Sequence, residues 1–427
     1  SFLMHPDVSW QFGSSFDRTG GLRAIGTAGN PITIDAFDAN QNWGHLFFAD
    51  TGRDVVMEYV ELTDGGGEAD IETATLEIRV LVEDTLSLPA FDNVTINNSS
   101  SNGIYIENAS DDQTPAVVTN TTINNSTDAA IRMDVDSFPG IGSGNQFNGN
   151  GSDTIQLMGG GISRVAYSQT WSNPGMPVEL EAGTVIIASD ELEAPAEVTI
   201  EAGLTFLMHP EAILSVGTSL SRPGSLYANG TAAEPITFTR LDATSANWGR
   251  LWLQQYDTSE VELNNVILEY GGSRDGTLPE DNGMIYGSGP LTINDSIIRH
   301  SSSNGIYFTE GVALINNSTI EQNQVNGLYT VGDINGTTLR SNTIQNNPEH
   351  GISVNNGDNP NSPICVDAAN NYWGNDSGPA DSYAALDGCG IASTNGGSGD
   401  SVTAGVIYSP WIRLNATYVY LPFVTQE

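Results

Sequence analysis

A chain without lysine lacks the reactions that need an amine side chain, which narrows the chemistry it can do. All thirteen basic residues are arginine. That excludes a Schiff base, a phosphate-cradling lysine and an internal Lys–Asn crosslink. Arg299 beside His300, with Glu321 one turn of the fold later, is the candidate set; a solvated lateral surface is the alternative. Asp111-Asp112 places two carboxylates together, but no Gly-His-Gly run follows and the pair sits in a loop-like stretch. Asp64, Glu68 and Asp70 in a Gly-rich segment, and Asp134 with Asp136, offer hard oxygens suited to Ca2+. Neither group follows an ordered calcium motif, so solvated acidic loops are the competing reading. No catalytic residue is assigned, no organic cofactor is expected, and Ca2+ is the one candidate ion.

Cys365 and Cys389 bracket a segment rich in Gly, Asp and Ser. A disulfide there would pin a loop with little core of its own and add roughly 3 kcal/mol. Two buried free thiols are the alternative. A disulfide favours an oxidising compartment. His5 and His209, and likewise Trp43 and Trp248, stand in matching sequence contexts. A role that recurs in two places is a fold role, so the tryptophans are expected in the core rather than on a sugar platform.

The elements that must position these residues follow from composition and self-similarity. Acidic residues number 52 against 13 basic ones, a net charge of −39. Such a surface repels phosphate backbones and anionic lipid, so nucleic acid is excluded as a partner; cations, basic proteins and neutral glycans remain. No apolar run approaches the roughly 20 residues of a transmembrane helix. The opening residues lack a charged-then-apolar leader, so the chain is expected to be mature.

Phe2-Leu3-Met4-His5-Pro6-Asp7 returns as Phe206-Leu207-Met208-His209-Pro210-Glu211, a displacement of 204. Asn42-Trp43-Gly44 returns at Asn247, and Ser99-Ser100-Ser101-Asn102-Gly103-Ile104-Tyr105 returns at Ser301. Within each copy a shorter unit recurs: Asn317-Ser318-Thr319-Ile320 with Gly327-Leu328, then Ser341-Asn342-Thr343-Ile344 with Gly351-Ile352. One short alternating strand, an Asn-rich corner, a Gly and a second apolar strand make a coil of roughly 20–25 residues. The fold class is therefore all-β, a right-handed parallel β-helix of two diverged copies. The copies occupy 1–190 and 191–390, with a terminal coil and apolar tail at 391–427. Asn is expected to tolerate left-handed corners and stack amide on amide, with Gly supplying positive φ.

The frame places Ser1 inside a coil, leaving Phe2 and Leu3 at an unfinished end. The tail holding Tyr418, Val419, Tyr420, Leu421, Phe423 and Val424 is apolar and β-prone. It is expected either to fold back as a cap or to add as a strand to the open coil of the next copy. The second arrangement does not close and would build a head-to-tail filament.

Asn371-Tyr372-Trp373-Gly374, Ser377-Gly378-Pro379 and Ser409-Pro410-Trp411-Ile412 resemble the terminal coils of bacterial right-handed β-helix proteins. Pro235-Ile236-Thr237-Phe238-Thr239 and Trp248-Gly249, ending in Val266-Ile267-Leu268-Glu269-Tyr270-Gly271-Gly272, resemble the repeat of many secreted or surface-anchored members. This is the NosD-like and pectate-lyase-like superfamily, and the resemblance covers nearly the whole chain. It implies secretion or surface attachment and a lateral groove for polysaccharides. Its lyases use a calcium-binding carboxylate cluster with an Arg or Lys base, and its hydrolases use three aspartates and a His. Neither set is met here. The expectation is a non-enzymatic extracellular structural or adhesive protein, with a polysaccharide lyase, a hydrolase or a glycan-binding module as alternatives.

Overall fold

The computed structural model describes residues 1–427 apart from 14–19, 50–54, 68–72, 81–88, 109–116, 191–193, 219–221, 255–258, 274–277, 279–280, 356–363, 382–395 and 415–427. The described residues form short parallel strands with one 3-10 turn at Phe138–Gly140. Two compact units are present, Ser1–Ile267 and Leu268–Glu427.

In the first unit a ladder of parallel strands forms one lateral face. In order it holds Trp10–Phe12, Leu46–Ala49, Ala74–Val80, Asn102–Asn108, Ala129–Met133, Ser152–Leu157, Val178–Leu180, Thr205–Met208 and Ile236–Arg240. Period-2 alternation sends every second residue inward, and parallel register stacks like on like. One inward column reads Leu46, Leu76, Ile104, Ile131, Ile155, Val178, Phe206 and Phe238. All eight are buried. A fully buried aliphatic or aromatic side chain contributes roughly 1.5–3 kcal/mol, so these columns drive the stacking.

The repeat boundary at 190 does not interrupt the ladders. Strand Thr184–Ile187 pairs with Ile213–Val216, and Val178–Leu180 with Thr205–Met208. The two copies nevertheless occupy different faces. Phe2–Met4 and Ile32–Ala36 pair in one sheet, but their repeat equivalents, Thr205–Met208 and Ile236–Arg240, extend the ladder that contains Leu46–Ala49. The equivalent of Leu46–Ala49, strand Arg250–Leu253, lies in a third ladder. Phe2 and Leu3 are 50 % and 60 % exposed on a strand that pairs with Ile32–Ala36 alone among the described residues.

The second unit repeats a three-sided coil. Its inward columns include Ile293, Ile315 and Leu339; Ile298, Ile320 and Ile344; and Ile306, Leu328 and Ile352. Two buried polar ladders line the corners. In one, Asn342 Nδ2 donates to Asn371 Oδ1 at 2.9 Å; in the other, Asn323 Nδ2 donates to Asn347 Oδ1 at 3.0 Å. The second ladder ends on Asp400, whose Oδ2 accepts from the Asn347 backbone N–H at 3.0 Å and from its Nδ2 at 2.8 Å.

The left-handed corner positions are taken by Asn317 and Asn346, as the Asn-rich turns suggest, but also by Asp295, Ser341, Gln322, His300 and Tyr270. Glycine supplies the expected positive φ at turns such as Gly311 and Gly332, but not at the coil glycines singled out from sequence. Gly305, Gly327 and Gly351 do not have positive φ. They are required by close approach: a Cβ on Gly327 would sit 2.6 Å from the Gly351 carbonyl oxygen of the next coil. Gly327→Ala is therefore expected to push adjacent coils apart and cost about 1–3 kcal/mol, read as a lowered denaturation midpoint of the second unit.

Candidate functional site

Between the two inward columns of the first unit's lateral ladder runs an outward one: Phe47, Glu77, Tyr105, Arg132, Gln156, Glu179 and Leu207. Rungs spaced about 4.8 Å apart carry it over roughly 19 Å from Glu77 to Glu179. The strands place these side chains by alternation: Ile131-Arg132-Met133, Ile155-Gln156-Leu157 and Val178-Glu179-Leu180 each turn the flanking residues into the core and the middle one to the face, where Arg132 and Gln156 are half-buried and Glu179 is buried under its partners.

Glu179 is the most heavily bound carboxylate of the column. Oε1 accepts from Ser152 Oγ at 2.5 Å and from Thr154 Oγ1 at 2.8 Å; Oε2 lies 3.0 Å from both Gln156 Nε2 and His209 Nε2. Ser152 and Thr154, two residues apart on one strand, reach the same oxygen, and their strand carries a β-bulge. Pairing advances from Ala129–Ser152 to Ile131–Ile155, one residue longer on the second strand. Burial alone would raise the Glu179 pKa, but the bonds from His209, Ser152, Thr154 and Gln156 outweigh it and hold the group at about 2.

Beside it, Arg132 grips Glu181 with both ends of its fork, Nε to Oε1 at 2.8 Å and Nη2 to Oε2 at 3.1 Å. A groove of about 430 Å³ opens here, lined by Asn102, Asp128, Arg132, Ser152, Gln156 and Glu181 among others. Further along the face, Glu77 accepts from Arg79 Nε at 2.6 Å, with His45 Nδ1 at 3.9 Å from its second oxygen. Burial raises the Glu77 pKa despite the Arg79 charge. Arg79 also lies over the Tyr105 ring, 5.1 Å from its centroid.

The residues named from sequence fall elsewhere. Arg299 and Glu321 are in register on adjacent strands, and His300 follows Arg299 directly. The Arg299 guanidinium is bound to Glu269, with Nε at 2.8 Å and Nη2 at 2.7 Å from Oε2. Glu321 accepts from Gln345 Nε2 at 2.8 Å, and His300 stacks on Tyr270 with centroids 5.0 Å apart. These groups are tied into inter-coil pairs. Asp64 accepts from Asn98, and Asp134 caps the Ser137 N–H. Glu68, Asp70, Asp111 and Asp112 lie outside the described residues. Among the described residues no three or more His, Cys, Asp or Glu side chains are grouped to hold a metal ion.

Trp43 and Trp248 are buried in the core. His5 stacks on Phe37 while His209 meets Glu179, so equivalent histidines have different partners. Cys365 is disulfide-bonded, and Cys389 lies outside the described residues. So does the whole of Tyr418, Val419, Tyr420, Leu421, Phe423 and Val424. Among the described residues no helix is long and apolar enough to cross a membrane.

The outward column escaped the sequence reading because its coils differ in length, so no fixed period aligns Tyr105, Arg132, Gln156 and Glu179. The usable signal was a single polar residue flanked by two apolar ones, repeated in successive strands.

Four solved chains match this one by structure. One is the A-module of the Azotobacter vinelandii mannuronan C-5 epimerase AlgE6. The match covers 90 % of this chain and 92 % of that one, at 11 % identity and a TM-score of 0.18. No curated protein matches by sequence. The profile described as "right handed beta helix region" matches residues 80–191 and 236–405. With parallel ladders, inward aliphatic columns and left-handed corners in both units, the chain belongs to the right-handed β-helix family.

Proposed function

We propose that this chain is a non-enzymatic, extracellular bacterial adhesive protein that holds glycan chains along the outward column of its first unit. The observation that carries this reading is the mutual neutralisation of that column. Glu179 is fixed as an anion at about 2 by four side-chain partners, and Arg132 is engaged bidentately by Glu181. A general base works best with a pKa near the operating pH, and Glu179 is held far below it. What the column offers is a set of rigid, hydrogen-bonding polar groups beside a groove, which suits binding. The disulfide-bonded Cys365 and the net charge of −39 support an oxidising, extracellular setting. The reading requires no cofactor.

The end-to-end filament has less support, since Phe2 and Leu3 are exposed but the proposed docking tail lies outside the described residues. Incubation with a panel of neutral and uronic-acid polysaccharides, following reducing ends and absorbance of unsaturated products, tests the reading. Retention on immobilised polysaccharide without product is the expected result; sustained turnover would overturn it.

A further inference from the structure

We infer that the groove beside the β-bulge is a subsite for neutral, hydroxyl-rich saccharides and that it discriminates against uronates. The inference rests on the glycan-binding reading and adds the ligand's chemical class and the residues that select it.

The groove walls hold three kinds of group. Arg132 and Gln156 are planar donors already oriented by Glu181 and Glu179. Asn102 is fixed by its own bonds, donating to the Thr73 carbonyl and accepting from the Ala129 N–H. Asp128 lines the opening, and its carboxylate makes no hydrogen bond or ion pair among the described residues. Its backbone is held by the Ser101 carbonyl and the Ser152 N–H, so the side chain projects from a fixed rung. Asp128 and the remaining lone pairs of Glu181 thus add acceptor capacity to a wall whose donors are Arg132 and Gln156.

A ligand that fits must supply donors. Vicinal sugar hydroxyls do so, and a carboxylate can accept from two of them at once. A uronate would place its own carboxylate near Asp128 and Glu181, both acceptors when ionised. The one cation lining the groove, Arg132, is already neutralised by Glu181. The net charge of −39 adds a long-range repulsion to any polyanion. Ser152 and Thr154 both donate to Glu179, so that this buried anion is satisfied internally.

The test is isothermal calorimetry with the full chain in EDTA, which prevents cations from bridging carboxylates. Probes are neutral gluco-, galacto-, manno- and xylo-oligosaccharides, and oligogalacturonate of matched length. At least one neutral oligomer is expected to bind at least tenfold more tightly than oligogalacturonate. Asp128→Ala is expected to weaken that binding by about tenfold, with an unchanged melting temperature confirming the fold. If oligogalacturonate binds as well as the best neutral oligomer, the charge selection is wrong while glycan binding stands. If neutral binding is unaffected by Asp128→Ala, the subsite lies elsewhere. If no probe binds, the adhesive reading itself fails.

Discussion

Glu179→Gln is expected to flatten the acid dependence of the first unit's stability and to lower its stability at neutral pH. The wild-type carboxylate moves from its ordinary value of 4.5 to about 2 on folding. A folded-state pKa below the unfolded one contributes stability that is present above the unfolded value and lost as pH falls toward the folded value. The window is therefore roughly pH 5 down to about 2, and the contribution is on the order of 3 kcal/mol. Screening takes little from it, since the side chain is only 8 % exposed. Gln keeps an acceptor for Ser152 and Thr154 but sets an NH2 against Gln156 and His209. The neutral-pH cost should be about 2–4 kcal/mol, shrinking as wild type and variant converge near pH 2. Denaturant titrations across that window measure both; parallel pH slopes for wild type and variant would contradict the argument.

The second large effect belongs to the asparagine ladder of the second unit. Asn347 Oδ1 accepts from Asn323 Nδ2, while its own Nδ2 donates to the Ile320 carbonyl and to Asp400. Asn347→Ala removes one acceptor and one amide donor from a buried corner and strands partners on both neighbouring coils. A loss of about 3 kcal/mol is expected. Asp400→Asn should behave oppositely. Burial raises the Asp400 pKa against the bonds from Asn347. A raised folded value means the aspartate's contribution grows as pH falls and weakens as pH rises through it. Asn retains the acceptor without the buried charge, so Asp400→Asn should equal or exceed wild type at neutral pH and lose that dependence. Hydrogen exchange of the His350–Val354 amides reads both variants locally.

Much of the fold was legible because stacking is a repeating local rule. Asn317-Ser318-Thr319-Ile320 and Ser341-Asn342-Thr343-Ile344 announce one corner and one inward residue each, and Ile320 and Ile344 indeed sit one above the other. Trp43 and Trp248 were legible as core for the same reason. What sequence could not provide is lateral position. Coil lengths vary, so whether Glu77, Tyr105 and Arg132 share a column depends on pairing register, which no fixed period encodes. Arg299 and Glu321 looked promising by adjacency, yet Arg299 is committed to Glu269. The coil glycines Gly305, Gly327 and Gly351 misled differently: a residue lacking Cβ is equally informative about close approach and about positive φ, and at these three the former holds.

The displacement of the two copies onto different faces has a consequence for how this protein could evolve avidity. A tandem duplication that kept its faces aligned would give two identical contact tracks, and a polymer spanning both would gain from effective concentration. Here His5 meets Phe37 while its duplicate meets a carboxylate. The duplicated segments therefore do not form two like tracks. On the glycan-binding proposal, avidity would have to come from copies brought together by other means.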